Sequence, residues 1–244
     1  MELDRYEAAI LDMDGVITRT ARAHAAAWKK MFDDYLRERS GSEGEDFIPF
    51  DDRDDYYRYV DGKPRYEGAQ SFLQSRGIDI PFGSPDDPPD RETVCGLGNR
   101  KNNYFLAHIR EEGVEVYAST VDFVKMIKSR EKGVAAISSS RNARAVLDAA
   151  GVRELFPVIV DGMDMSEHNI SGKPEPDIFL EAARRLGVAP ENTIVIEDAR
   201  SGVEAGRAGG FALVIGIDRS GRNAGLRSSG ADIVVSDLSE IRSK

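Results

Sequence analysis

The chain is short of several things, and each shortage removes a class of function. It has one cysteine, Cys95, in 244 residues. No internal disulfide can close, and a reducing cytoplasm is the expected compartment. Three histidines occur, at positions 24, 108 and 168, and they support no catalytic triad with the serines at 138–140, which lack a nucleophile elbow. No apolar run approaches the roughly 20 residues that a membrane-spanning helix needs. The opening Met1-Glu2-Leu3-Asp4-Arg5 leads straight towards the first strand and is not expected to be a signal peptide. Basic residues are outnumbered, 33 Lys and Arg against 43 Asp and Glu, for a net charge of −10. Long-range repulsion therefore argues against general binding to nucleic acid or to an anionic membrane, while a local basic pocket for a small anion stays open. What is there is an ordinary globular composition, 41% hydrophobic and 31% charged, long enough for one large domain or two modest ones.

The apolar pattern divides the chain in two. Ala8-Ala9-Ile10-Leu11 reads as a buried strand, and from about 114 onward short apolar runs alternate with helical segments. The further strands are expected at 134–137, 158–160, 193–196, 212–215 and 232–235, with helices near 119–131, 142–150, 175–186 and 200–208. Ser119 with Asp122 has capping-box spacing at the first of those helices. Continuous apolar strands separated by helices predict an α/β fold, a doubly wound parallel sheet covered on both faces. Between 18 and 115 no convincing strand occurs. Helical spacing runs over 20–39, 66–76 and 101–112, with loops at 40–65 and 79–99, so an all-helical insert is expected. The expected division is 1–17 with 118–244 as a core and 18–117 as an inserted helical cap.

In an open parallel sheet, ligands bind beyond the carboxyl ends of the strands, so the residues just past each strand are the place to look. There stand Asp12-Met13-Asp14, then Ser138-Ser139-Ser140-Arg141-Asn142, then Asp161 leading by a loop to Gly172-Lys173-Pro174, and Glu197-Asp198. Hard carboxylate oxygens without paired His or Cys suit Mg²⁺. A hydroxyl and backbone N–H groups at a helix start suit a phosphate, and a lysine opposite the aspartates neutralises charge in phosphoryl transfer. One carboxylate can attack phosphorus, and a second can carry the proton. An ordinary Asp, with a pKa of roughly 3.9, must be raised or assisted by substrate to donate that proton at neutral pH.

The ordered set Asp12-x-Asp14-Gly15-Val16, Ser138, Lys173-Pro174 and Glu197-Asp198 resembles the haloacid dehalogenase (HAD) superfamily of aspartate-nucleophile phosphotransferases. The resemblance implies a HAD-type Rossmann-like core with a cap that sets specificity. It implies Asp12 as nucleophile, Asp14 as general acid and base, and Ser138 and Lys173 on the transferring phosphoryl group. Mg²⁺ would be held by Asp12, the main-chain carbonyl of Asp14, Glu197 and Asp198. Asp14 also argues against the dehalogenase branch, which uses neither the second acid nor a metal. Within the superfamily, Asp14-Gly15-Val16-Ile17-Thr18 followed by His24 and Trp28 resembles the beta-phosphoglucomutase-like subfamily, as does Ser138-x-Ser140-Arg141-Asn142. Gly62-Lys63-Pro64-Arg65 is similar to the cap segment whose arginine grips a distal phosphate, and Arg100-Lys101-Asn102 to the one whose lysine meets the sugar phosphate. His24 would couple cap closure to proton transfer at Asp14.

The implied activity is Mg²⁺-dependent transfer on a small phosphorylated sugar, beta-glucose 1-phosphate to glucose 6-phosphate, with a hexose bisphosphate as primer or intermediate. A sugar-phosphate phosphatase using the same aspartyl-phosphate is the alternative, and a non-catalytic metal- or sugar-phosphate-binding protein is a third reading. Two departures from the subfamily bear on the sugar: Arg19 stands where an acid is common, and the cap is longer at 40–60 and 79–95. Other motifs fail on spacing. The Asp12-x-Asp14 run puts Ile17 at position six of an EF-hand loop, Gly172-Lys173 has no P-loop glycine before it, and Gly96-x-Gly98 lacks the third dinucleotide glycine.

Overall fold

The computed structural model describes residues 3–43, 46–219, 221 and 225–241. Met1 and Glu2, part of the segment expected not to be a signal peptide, and Gly44 and Glu45 of the lengthened cap stretch lie outside the described residues. The chain falls into two compact units, Met1–Arg19 with Val114–Lys244, and Thr20–Gly113.

The larger unit is built on β1 (Ala8–Asp12), β2 (Gly133–Ile137), β3 (Val158–Val160), β4 (Thr193–Glu197), β5 (Leu213–Ile217) and β6 (Ile233–Val235). They form one sheet in the order β3-β2-β1-β4-β5-β6, every neighbouring pair parallel. All five residues of β1, β4 and β5 are buried, as strands covered on both faces must be. The helices of this unit are α4 (Ala118–Lys128), α5 (Ala143–Ala149), α6 (Gly162–His168), α7 (Asp177–Leu186), α8 (Arg200–Ala208) and α9 (Gly225–Ser228). Ile10, Val195, Val214, Ile178, Phe179 and Val203 meet in its core.

Two expectations change here. The stretch after β3 is a helix, not a loop. Asp161, fully buried, accepts from the N–H groups of Met163 and Asp164, and the Asp164 side chain reciprocates to the Asp161 N–H, a capping box that starts α6. At α4, conversely, Ser119 and Asp122 form no capping box: Tyr117 is the N-cap without a side-chain bond, and the Ser119 hydroxyl donates to Asp237 at 2.7 Å.

The smaller unit contains α1 (Ala21–Glu43), α2 (Arg65–Ser75) and α3 (Val94–Glu112), with a single π-helical turn at Tyr56–Val60. Its core is aromatic, with Phe32 stacked on Trp28 and Phe50 and in contact with Phe72. Helix α3 begins well before the expected residue 101. Gly96 and Gly98 disfavour a helix by propensity, yet Thr93 caps it by accepting from the Gly96 N–H. The glycines also permit close approach: a Cβ would lie 2.2 Å from the Arg91 carbonyl at 96 and 2.8 Å from the Tyr66 ring at 98. No helix among the described residues is long and apolar enough to cross a membrane.

Strand order reverses between β1 and β4, the switch point where an open α/β sheet leaves a crevice. The register pairs Leu11 with Ile196, so Asp12 and Glu197 end neighbouring strands side by side, and Asp12 pairs with Ile137, immediately before Ser138.

Candidate active site

The ends of two neighbouring strands deliver two charged groups to the switch point, and a third reaches them from a connecting segment. Asp12 ends β1 and is 6% exposed, and Glu197 ends β4 and is fully buried. Lys173, in the segment between α6 and α7, reaches both: its ammonium donates to Asp12 Oδ1 at 2.5 Å and to Glu197 Oε1. The second Glu197 oxygen accepts from the N–H groups of Asp198 and Ala199, both at 2.7 Å. Glu197 is thus clamped by three donors. It fixes Lys173 beside Asp12 and starts the chain into α8.

Burial dominates the ionisation of this group. Desolvation pushes the Asp12 carboxyl well above its ordinary range, reinforced by the charges of Glu197 and Asp14 and opposed by Lys173. Desolvation acts the other way on Lys173, but the two carboxylates at its ammonium outweigh it and hold the lysine protonated. A buried cation between two buried acids is stable only as a set, because removing one member strands the others in a low-dielectric site.

Asp12, Glu197 and Asp198 each present a carboxylate oxygen, and the three atoms lie within 4.8 Å of one another, a set that can hold a metal ion. All are hard oxygens, the donor type of Mg²⁺ rather than of zinc or copper. Two glycines make room for them. Gly15 has a φ of +86°, and a Cβ there would stand 1.8 Å from Asp198 Oδ2. At Gly202 in α8 a Cβ would stand 1.8 Å from Glu197 Oε1. Both carboxylates therefore rest directly on backbone.

Asp14, two residues past Asp12, is half-buried, and its Oδ2 accepts from the Ser138 hydroxyl at 3.2 Å. Ser138 is itself buried and its Oγ accepts from the Ser140 N–H at 3.0 Å, while Ser140 Oγ accepts from the Asn142 N–H at 3.2 Å. The N–H groups of Ser140 and Asn142, in the stretch where backbone donors for a phosphate are expected, are thus turned onto the serine hydroxyls. Arg141 lies on the same loop, its Nε 3.1 Å from the Met163 sulfur.

The sequence-predicted residues of the helical unit form two groups. His24 stacks on Phe105 with ring centroids 3.9 Å apart, and its Nδ1 is 2.7 Å from Lys101 Nζ. Lys101 is buried, 5.0 Å from the Trp28 ring and 5.1 Å from Phe105. Trp28 belongs to the aromatic core of this unit and forms one wall around that lysine. Arg65 donates to Asn99 Oδ1 at 3.3 Å and to Asn102 Oδ1 at 2.8 Å, which joins the start of α2 to α3. Arg19, at the edge of the larger unit, lies against Glu115 at 3.5 Å and over the Tyr117 ring at 4.8 Å.

Residues 6–210 match the family described as haloacid dehalogenase-like hydrolase. The chain belongs to that family. It is 50% identical to the beta-phosphoglucomutase of Mycobacterium bovis over 98% of this chain and 92% of that protein. It is 30% identical to the beta-phosphoglucomutase of Bacillus subtilis, over 96% and 91%. Among solved structures it is similar to beta-phosphoglucomutase from Clostridium difficile, with a TM-score of 0.77, 27% identity and coverage of 97% and 93%.

Two contributions to this haloacid dehalogenase-like site escaped the reading of strand ends. Gly202 sits in the middle of α8, where a glycine reads only as a weak helix former. Arg219 lies just past β5, and inspecting that strand end in the same way would have found it. Its Nε donates to the Gly15 carbonyl at 3.1 Å.

Proposed function

We propose that this haloacid dehalogenase-like chain is a Mg²⁺-dependent beta-phosphoglucomutase, converting beta-glucose 1-phosphate to glucose 6-phosphate through a hexose bisphosphate and an aspartyl-phosphate. The observation that carries the phosphoryl-transfer reading is the contrast between the two aspartates. Asp12 is buried against an ammonium, whereas Asp14 is half-buried and bonded to a neutral hydroxyl. Two carboxyls two residues apart thereby receive different work. The choice of sugar rests on the likeness to the mycobacterial and Bacillus relatives, which extends over both units.

In the first half-reaction an Asp12 carboxylate oxygen attacks phosphorus, the bond from phosphorus to the departing sugar oxygen breaks, and Asp14 gives that oxygen its proton. In the second, Asp14 takes the proton from another sugar hydroxyl, whose oxygen attacks the aspartyl-phosphate and restores the Asp12 carboxylate. Lys173 stays protonated throughout and offsets charge on the transferring group. Ser138 exchanges its bond to Asp14 for a phosphoryl oxygen, with Ser140, Arg141 and Asn142 on the same loop. Asp12, the Asp14 carbonyl, Glu197 and Asp198 would hold Mg²⁺, with Glu197 also anchoring Lys173. The ion supplies further neutralisation of the phosphoryl oxygens. In the helical unit, Lys101, His24 and Arg65 are assigned to the sugar phosphate and its second phosphate, for which an arginine fork is well suited.

The test follows two products from beta-glucose 1-phosphate with Mg²⁺ and a trace of glucose 1,6-bisphosphate. Glucose 6-phosphate should form faster than free phosphate, and Asp12→Asn should abolish it in a folded protein. Release of phosphate without isomer, across sugar phosphates, would make the protein a phosphatase. No turnover of either kind, with Asp12→Asn unchanged from the parent, would leave only binding.

A further inference from the structure

The turn carrying Asp14 is held by its carbonyl groups. Gly15 N–H donates to Thr18 O at 2.8 Å and Thr18 N–H to Met13 O at 2.9 Å, which closes the turn on itself. Its outward carbonyls are taken by side chains and backbone of later segments: Val16 O by the Thr120 hydroxyl at 2.7 Å, Ile17 O by the Tyr117 N–H at 3.0 Å and Gly15 O by Arg219. Of these, Arg219 is the bond nearest the acid. The guanidinium is itself fixed from three sides. It ion-pairs with Asp237 at 2.6 Å, it lies 3.4 Å from the centre of the Tyr117 ring, and its remaining nitrogen reaches Thr120 Oγ1 at 3.5 Å. Asp237 accepts in addition from the Ser119 hydroxyl and the Ser239 N–H. Although partial burial raises it, those bonds and Arg219 keep the Asp237 carboxyl far below the ordinary range.

We propose that Arg219 is a positioning residue for the general acid and base: by holding the Gly15 carbonyl it sets the Asp14–Gly15 turn against Asp198. Gly15 is where a small displacement is least tolerated, since its backbone is in contact distance of the Asp198 carboxylate. An arginine is suited to this because one rigid fork serves the Gly15 carbonyl, the Asp237 carboxylate and the Tyr117 face together, which an ammonium cannot do. This rests on the assignment of Asp14 under the proposed function.

The leaving group separates positioning from folding. An alkyl phosphate needs a proton on its departing oxygen, whereas acetyl phosphate does not. Arg219→Ala and Arg219→Lys are compared with the parent for phosphorylation of Asp12 by acetyl phosphate and for turnover of beta-glucose 1-phosphate. Arg219→Ala should lower kcat on the sugar phosphate by about tenfold or more with little change in KM, since a misplaced catalytic group costs rate rather than binding. Formation of the aspartyl-phosphate from acetyl phosphate should change little, and added guanidinium should restore part of the lost kcat in the alanine variant. Equal losses on both phosphoryl donors, or a loss only in melting temperature, would overturn the proposal. If Arg219→Ala does not fold, Asp237→Asn supplies the same comparison. If the parent phosphorylates from acetyl phosphate but never turns over the sugar phosphate, the mutase reading fails. The Arg219 comparison then runs on hydrolysis of an alkyl and an aryl phosphate.

Discussion

Lys173 shows most directly how single residues hold this site together. It is buried between Asp12 and Glu197, and Lys173→Met, a change to a more apolar side chain of similar length, should destabilise the protein. With no ammonium, two buried carboxylates face each other, and the cost is about 3 kcal/mol, read from urea unfolding of the parent and variant. Gly202→Ala is the second residue-scale prediction. A methyl group would collide with Glu197 inside a rigid helix, so stability should fall by about 2 kcal/mol and Lys173 should lose its anchor, with phosphoryl transfer falling alongside. A stable, fully active Gly202→Ala protein would show that α8 can shift away. Asp12 and Glu197 were legible in the sequence because each ends an apolar run, and Lys173 because Gly172-Lys173-Pro174 stands out as a motif in the segment that follows the third strand. The clamp on Glu197 was not, because hydrogen bonds from the following N–H groups leave no mark on residue type.

Among the elements, the strands were the easiest to read. Runs such as Thr193-Ile194-Val195-Ile196 are buried on both faces and carry no competing period. Helix α6 was missed because seven residues, Gly162–His168, give too few apolar positions for a helical stripe, and its start depends on a reciprocal bond between Asp161 and Asp164. The early turns of α3 were missed for the opposite reason, two glycines whose packing role outweighs their propensity. Helix α7 offers a pH test of its own. Hydrogen bonds from Arg184 and Arg185 hold the Glu181 carboxyl down at about 2, against an ordinary 4.5, despite slight burial. Its contribution is therefore complete above pH 4.5 and is lost as pH falls towards 2. Arg184 is 71% exposed, so water screens the pair and its contribution is small. Glu181→Gln should lower the melting temperature at neutral pH and make no difference near pH 2. A constant difference across that range would mean that packing, not charge, accounts for it.

For the whole molecule, the two units divide the expected labour. Chemistry collects at the β1–β4 switch point, and the cations assigned to the sugar's second phosphate belong to the helical unit. Arg65→Ala should therefore reduce turnover of beta-glucose 1-phosphate by about tenfold to a hundredfold, the worth of one or two charge-assisted hydrogen bonds, while hydrolysis of a small aryl phosphate stays nearly unchanged. Equal loss on both would mean that Arg65, bonded to Asn99 and Asn102, serves mainly to join α2 to α3. The positions of six strands along the chain and the presence of a helical insert were readable from where apolar runs stop and start, whereas the order of the strands in the sheet was not. Arg219 itself stands just past β5, where inspection of the strand end reaches it, but its partner Gly15, 204 positions away, was not readable, since no local pattern encodes so distant a contact.

The outgoing and returning segments of the insertion are bonded to each other before they leave the larger unit. Thr18 bridges Val116 in antiparallel fashion and the Arg19 N–H donates to Glu115 O at 2.9 Å. The sheet therefore meets the 94 residues between Arg19 and Val114 as a loop with adjoining ends, whatever its length. Closing such a loop costs an entropy that grows only as the logarithm of its size. That makes the junction a natural cassette boundary. An insert of different size can leave and rejoin the larger unit at the same two points while β1 keeps its place beside β2 and β4.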